Sequence, residues 1–148
     1  MPRRSIPETI QAAVRLKAKS LCEYCHASEE WQYVRFTIDH VTPIDQGGQN
    51  DLNNLALACF NCNRRKWNKQ MATDPESGKT VPLFNPRRDD WAKHFVWSSD
   101  TTRIIGLTST GRATVEALAL NRQRVIDIRN ADKQIGRHPP NNDPIIDN

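Results

Sequence analysis

The chain has 148 residues, of which 37% are hydrophobic and 26% are charged, and its formal net charge is +4. This length predicts one domain with a small apolar core, and the positive charge permits a polyanionic partner. The longest uncharged, mainly apolar run is Leu55–Phe60, much shorter than the roughly 20 residues of a membrane-spanning helix, so we expect no membrane association. No apolar stretch follows the basic start at Met1–Arg4, and we therefore expect a cytoplasmic protein without an export signal.

Residues 1–21 are predicted to form a helical lead-in to the rest of the chain. Ser5 and Glu8 have the spacing of a capping box, which favours a helix that begins there and extends over residues 5–20. An apolar stripe at helical spacing supports this prediction and consists of Ile6, Ile10 and Val14.

Four cysteines form two pairs with identical spacing, Cys22-x2-Cys25 and Cys59-x2-Cys62. Soft thiolates at such tight spacings suit the tetrahedral coordination of zinc, and disulfides are uncommon in proteins that are not exported. We therefore predict one structural zinc ion held by all four thiolates. Reduced core cysteines are the alternative, but they rarely occur as two identical pairs. His26 follows the first pair directly, and it is not expected to be a ligand because four thiolates complete such a site.

Around the cysteine pairs the sequence predicts two strands and a helix. The β-branched and aromatic residues of segment 33–38 indicate a strand that ends at Asp39-His40. Gly47-Gly48 marks a loop. The apolar run Leu55–Ala58 indicates a second short strand, and the polar, basic segment Asn61–Met71 is predicted to be helical.

Residues 73–129 are predicted to form an extension that packs on the preceding segment. Three of its aromatic side chains are more typical of a core than of a base-stacking surface, namely Trp91, Phe95 and Trp97. We predict a strand at Arg103–Leu107 and one helix at Arg112–Arg129, capped by Thr110. The prolines and asparagines beyond Asn130 favour a disordered tail over residues 130–148.

Several polar residues and glycines stand at fixed spacings around the cysteines: Cys22-x2-Cys25, Asp39-His40-Val41-x-Pro43, Gly47-Gly48, Asn54-Leu55 and Cys59-x2-Cys62-Asn63-x2-Lys66. This pattern resembles the HNH endonuclease family over roughly a third of the chain. Segments after residue 80 also resemble the downstream part of small bacterial HNH proteins. Asn63 stands where the name of the motif has a second histidine, as in many members of the family.

The resemblance implies an α+β fold with a ββα-metal core of the HNH, or His-Me finger, type over residues 22–72. That core would carry the structural zinc site of four cysteines, with the N-terminal helix and the C-terminal strand–helix extension flanking it. It would also hold one catalytic divalent cation. The oxygen ligands of Asp39 and Asn63 suit Mg²⁺ or Mn²⁺, whereas a histidine in place of Asn63 would favour softer metals.

The resemblance further implies hydrolysis of DNA phosphodiester bonds by three residues and a supporting fourth. Asp39 and Asn63 would hold the catalytic cation. His40 would be the general base, because a neutral imidazole with an ordinary pKa of about 6.5 accepts a proton at physiological pH. Asn54, the middle residue of the motif, would hold the loop so that His40 points at the attacking water.

The predicted helix after the second cysteine pair is strongly basic. Its cations are Arg64, Arg65, Lys66 and Lys69. A solvated basic face would explain this run in an arbitrary protein, but beside a nuclease centre we expect these side chains to contact phosphates. Phosphate contacts carry no sequence information, so we expect little sequence specificity. DNA is the expected partner, and RNA stays an alternative because no feature recognises the 2′-hydroxyl.

Two other classes of function compete with the nuclease. One is a zinc-containing nucleic-acid-binding module without catalysis, although a pure binder has no need for Asp39, His40 and Asn63 beside a basic helix. The other is a structural zinc-ribbon protein, for which the separation of the two cysteine pairs is unusually long.

Overall fold

The structure, a computed structural model, describes residues 5–143. It is a mixed α+β fold with small antiparallel sheets of two strands each. In chain order the elements are α1 (Glu8–Ala18), β1 (Thr37–His40), β2 (Leu55–Ala58), α2 (Phe60–Lys66), β3 (Met71–Thr73), β4 (Thr80–Pro82), α3 (Trp91–His94), β5 (Phe95–Trp97), β6 (Ile104–Gly106), α4 (Ser109–Ala117) and α5 (Gln123–Gln134). Strand β1 pairs with β2, β3 with β4, and β5 with β6.

The N-terminal helix is present, but it is shorter than predicted and lacks the capping box. Its N-cap is Pro7, without a side-chain hydrogen bond, and the Pro7 carbonyl accepts the first helical N–H groups. Ser5 therefore lies too far upstream to act as the cap. The helix buries Val14 and Ala18 against the core and packs on β2.

The first sheet is an antiparallel pair in which Thr37 faces Ala58 and His40 faces Leu55. Strand β2 has the predicted bounds, and all of its residues are buried. Strand β1 begins at Thr37, so the predicted start at residue 33 is wrong. Residues 33–35 are exposed and have no place opposite β2, and their β propensity is therefore not realised.

Helix α2 ends earlier than predicted. The sequence predicts a helix through Met71, but α2 stops at Lys66, and Trp67 follows it with φ 46°. Met71 instead begins β3, where it pairs with Pro82. The pairing of β3 with β4 draws the chain away from the helical path.

The single helix predicted at Arg112–Arg129 is two helices, α4 and α5. The side chain of Thr108, and not that of Thr110, caps α4 by accepting a hydrogen bond from the Gly111 N–H at 3.0 Å. Asn121 lies in the turn between the helices and exchanges two 2.8 Å hydrogen bonds with the backbone of Ile104. These hydrogen bonds to β6 stabilise the turn between α4 and α5. No local sequence pattern indicates this turn.

The aromatic residues of the extension lie in the core, as predicted. Trp91, Phe95 and Trp97 are buried, and neighbouring rings pack with centroids 5.0–6.0 Å apart. The indole Nε1–H of Trp91 donates to the carbonyl of Tyr24 at 2.9 Å, which links the extension to the first cysteine pair. An ion pair between Arg87 and Glu23 makes a second link.

The predicted disorder from residue 130 is wrong for residues 130–143. Helix α5 continues to Gln134, and the Asp143 carboxylate is buried, where it accepts hydrogen bonds from the Trp97 indole and the His26 ring. Buried polar contacts therefore order a segment of weakly apolar composition. The rest of the predicted tail, residues 144–148, lies outside the described residues. Within residues 5–143 no helix combines the length and apolar character that crossing a bilayer requires.

Candidate active site and metal centre

The four cysteines converge on one point, as their spacing predicts. Their Sγ atoms all lie within 4.8 Å of one another, and the Sγ atoms of Cys25 and Cys59 are 3.8 Å apart. Tetrahedral zinc with Zn–S bonds of about 2.3 Å places its sulfurs about 3.8 Å apart. The thiols form no disulfide. The cluster therefore fits a zinc ion in both donor type and size.

Burial and mutual contacts shift the pKa values of three of the thiols, those of Cys22, Cys59 and Cys62. Burial raises the pKa of the Cys22 thiol, and hydrogen bonding with the other thiols raises the pKa of Cys62. The same kind of contact lowers the pKa of Cys59. Cys22 and Cys62 thus resist ionisation, and a bound zinc ion would supply the positive charge that stabilises the cluster as thiolates.

Local backbone geometry presents the thiols. Strand β2 runs into Cys59, which is the N-cap of α2 and whose Sγ accepts the N–H of Cys62 at 3.4 Å. The first pair lies on a tight turn in which the His26 N–H donates to the Cys22 carbonyl. The His26 ring lies outside the thiol cluster. It stacks on Trp91 with the ring centroids 4.0 Å apart, consistent with the expectation that it is not a ligand.

A cavity of about 470 Å³ lies between the end of β1 and helix α2. Three of the four predicted catalytic residues line it together: Asp39, His40 and Asn63. Its other walls are formed by Ile38, Pro43, Ile44, Asp45, Arg64, Trp67 and Asn68. Strand β1 delivers the first two site residues and the first turn of α2 delivers Asn63, so residues far apart in sequence share one opening.

The Asp39 carboxylate is 4% exposed and is held by two donors. The Tyr24 hydroxyl donates to Oδ2 at 2.7 Å, and the Lys66 ammonium lies 3.3 Å from the same oxygen. Burial raises the pKa of Tyr24 well above its usual value, so this hydroxyl stays protonated and donates. A carboxylate offers about four acceptor positions, so these contacts leave positions for a cation.

Lys66, one of the predicted phosphate contacts, is buried. It is 1% exposed, and its ammonium donates to the carbonyls of His40 and Val41 at 3.3 and 3.1 Å besides pairing with Asp39. Helical periodicity turns this position inward beneath β1, because it lies one turn beyond the buried Cys62. Its charge is used within the protein.

His40 is oriented by a residue that the sequence analysis did not identify. Its Nε2 lies 2.5 Å from the Oδ1 of Asn50. An amide oxygen only accepts hydrogen bonds, so Nε2 carries the hydrogen and Nδ1 of the neutral ring keeps the lone pair. Asn50 follows Gly47-Gly48, and this glycine pair predicts a loop. The loop is the local feature of the sequence that allows Asn50 to approach β1.

Asn54 holds the loop that follows His40. Its Oδ1 accepts the N–H of Thr42 at 2.7 Å, and its Nδ2 donates to the carbonyls of Thr42 and Gln49 at 2.9 and 3.0 Å. Gly48 lies against this clamp, where an added Cβ would come within 1.7 Å of the Thr42 carbonyl oxygen. Only glycine therefore allows the loop to close over the Asn54 side chain.

The remaining predicted phosphate contacts lie at the surface. Arg64, Arg65 and Lys69 are exposed, and Arg64 also lines the cavity. The positive charges of these three side chains are therefore accessible to an anionic ligand.

Comparison with protein families agrees with this geometry. Residues 22–69, about a third of the chain, match the family model described as HNH endonuclease. The matched range contains both cysteine pairs and all of the predicted site residues. No curated protein and no solved structure matches the chain.

Proposed function

We propose that this protein is a metal-dependent HNH endonuclease that hydrolyses DNA phosphodiester bonds. In this proposal β1, β2 and α2 form a ββα-metal core within residues 22–72, and residues 73–129 form an extension that packs on it. The observation that carries the proposal is that Asp39, His40 and Asn63 line one open cavity, with the cationic Arg64 in its wall.

Asp39 and Asn63 are the residues that would hold the catalytic cation. Their carboxylate and amide oxygens are hard donors, which fit Mg²⁺ or Mn²⁺. A bound divalent cation supplies charge neutralisation at the phosphate and at the leaving oxygen. The ion pair with Lys66 and the hydrogen bond from the Tyr24 hydroxyl hold the Asp39 carboxylate at the edge of the cavity.

His40 is the proposed general base. Its Nε2–H is held by Asn50, so Nδ1 accepts the proton of a water in the cavity. The water oxygen then forms the new bond to phosphorus as the bond to the 3′-oxygen breaks, and the leaving oxygen takes a proton from solvent. Asn54 acts as a positioning residue, because it fixes the backbone just after His40.

Arg64, Arg65 and Lys69 are the proposed phosphate contacts. They are exposed near the cavity, and cationic side chains in such positions neutralise the backbone of a bound nucleic acid. Because these contacts do not read bases, we expect cleavage at many sequences.

Cleavage of supercoiled plasmid with Mg²⁺ or Mn²⁺ tests the proposal. The wild-type protein should convert the plasmid to nicked or linear DNA, and His40→Ala should be inactive while it keeps its fold and its bound zinc. A structured RNA assayed in parallel tests the choice of DNA. Cleavage by both proteins would contradict the role of His40, and DNA binding without cleavage by either would favour a non-catalytic zinc-containing binding module.

A further inference from the structure

Trp67 differs from the core tryptophans in its surroundings. Trp91 and Trp97 are buried, whereas Trp67 is 74% exposed and lines the candidate active-site cavity. Its exposed indole is therefore free to contact a ligand, and it shares the cavity wall with Asp39 and His40.

The backbone at Trp67 makes the choice of residue more unusual. Trp67 directly follows α2 with φ 46° and ψ −115°, on the positive-φ side that bulky residues avoid. Its N–H donates to the Asn63 carbonyl at 2.8 Å, which closes the last turn of the helix. The indole therefore emerges from the helix end one turn after the candidate metal ligand.

The cavity combines apolar and polar lining residues. Trp67 and the 39% exposed Ile44 both line it, and so do Asp39, His40 and Asn63. A phosphodiester that lies against the polar residues has a nucleobase attached a few bonds away. The flat, exposed indole in the same cavity is a surface on which such a base can stack.

We propose that the Trp67 indole stacks on an unpaired nucleobase next to the scissile phosphodiester, so that the site takes single-stranded or locally unpaired nucleic acid. In an intact duplex both faces of each base are covered by neighbouring pairs. Stacking on Trp67 therefore requires a base that has left the helix or was never paired. This inference rests on the proposed nuclease function.

Steady-state cleavage of a labelled single-stranded oligonucleotide and of its perfect duplex tests the inference. Loss of one base–aromatic stack weakens binding by about 5- to 150-fold, so Trp67→Leu should raise KM for the single strand by that factor with kcat changed much less. Trp67→Phe, which keeps an aromatic face, should restore most of the affinity. Phe60→Leu is the matched control, because Phe60 is an exposed aromatic residue on the same helix outside the cavity.

Binding measured in the His40→Ala background separates the two proposals. Quenching of tryptophan emission by the single strand should be present in His40→Ala and largely lost in His40→Ala/Trp67→Phe. Three results would overturn the role of Trp67. These are an unchanged KM in Trp67→Leu, an equal rise in KM in Phe60→Leu, and equal quenching in His40→Ala and His40→Ala/Trp67→Phe. A wild-type protein that cleaves no nucleic acid would overturn the nuclease, and the quenching experiment would still decide whether Trp67 stacks on a base.

Discussion

The buried pair of Lys66 and Asp39 permits a quantitative test of how the candidate site is built. Lys66→Met keeps a long side chain of similar shape but removes the ammonium. The Asp39 carboxylate then stays buried and keeps only the Tyr24 hydroxyl of its two donors, and the carbonyls of His40 and Val41 lose their hydrogen bonds from Nζ. We expect this variant to be strongly destabilised.

The magnitude follows from the geometry. Opposite unit charges 3.3 Å apart attract by about 5 kcal/mol at an effective dielectric constant of about 20. Removal of one member of a buried ion pair costs about 3–5 kcal/mol, because it leaves the other charge without compensation. Because the two side chains are 1% and 4% exposed, solvent does little to screen this interaction. The expected loss in the free energy of unfolding is therefore about 3–5 kcal/mol.

Urea denaturation at a fixed zinc concentration measures this loss. With an m-value of about 2 kcal/mol/M, the midpoint for Lys66→Met should fall by about 1.5–2.5 M. Lys69→Met is the matched control, because Lys69 is exposed and a surface substitution changes stability by less than about 0.5 kcal/mol.

A double-mutant cycle identifies the cause of the loss. In the Asp39→Asn background no buried charge is left behind, so Lys66→Met should cost clearly less than it does in the wild type. A loss below about 1 kcal/mol in the single variant, or the same loss in both backgrounds, would refute the argument from the buried charge.

Three further outcomes are expected. Asn50→Ala should lower kcat about 10- to 100-fold with little change in KM, because His40 loses the acceptor that fixes its ring. Cys62→Ser should lose zinc, measured by elemental analysis, and unfold, measured by circular dichroism. Arg112 holds the pKa of Asp74 well below its usual range, so this pair stabilises the fold above the ordinary carboxyl pKa of about 4. The stability difference between the wild type and Asp74→Asn should therefore be largest near neutral pH and decrease as the pH falls below about 4.

A control variant accompanies the first of these outcomes, and a specific result would contradict each of the three. Asn53→Ala, an exposed neighbour of the same loop, should keep full activity, and an equal fall in both variants would refute a special role for Asn50. A folded, zinc-free Cys62→Ser protein would contradict the structural role of the metal. A stability gap between the wild type and Asp74→Asn that widens in acid would contradict the sign derived from the lowered pKa.

Features that depend on residue spacing and on local apolar content can be predicted from the sequence. Two identical cysteine pairs predict one thiolate cluster, and the Sγ atoms do converge. The fully apolar run Leu55–Ala58 predicts the buried strand with its observed bounds. The aromatic residues of the extension predict a core, because large apolar side chains are stabilised by leaving water. The motif residues identify the HNH segment, which the family comparison matches.

The local environment of the site depends on tertiary contacts. Lys66 has the composition of a phosphate contact, but the pairing of β1 with β2 places a carboxylate and two carbonyls above it, and these partners are about 25 residues away in the sequence. Asn50 reaches His40 only because the glycine loop folds back. Neither secondary-structure propensity nor hydrophobic periodicity predicts contacts between side chains so far apart in the sequence.

The C-terminal half shows the same limit on a larger scale. The apolar period across residues 112–129 is compatible with one helix, and the tie between Asn121 and Ile104 breaks it into two. The composition after Asn130 favours disorder, but Asp143 finds donors on His26 and Trp97 and is buried. In each case a hydrogen bond to a distant residue offsets a local preference worth less than about 1 kcal/mol per residue, and only the folded chain brings those partners together.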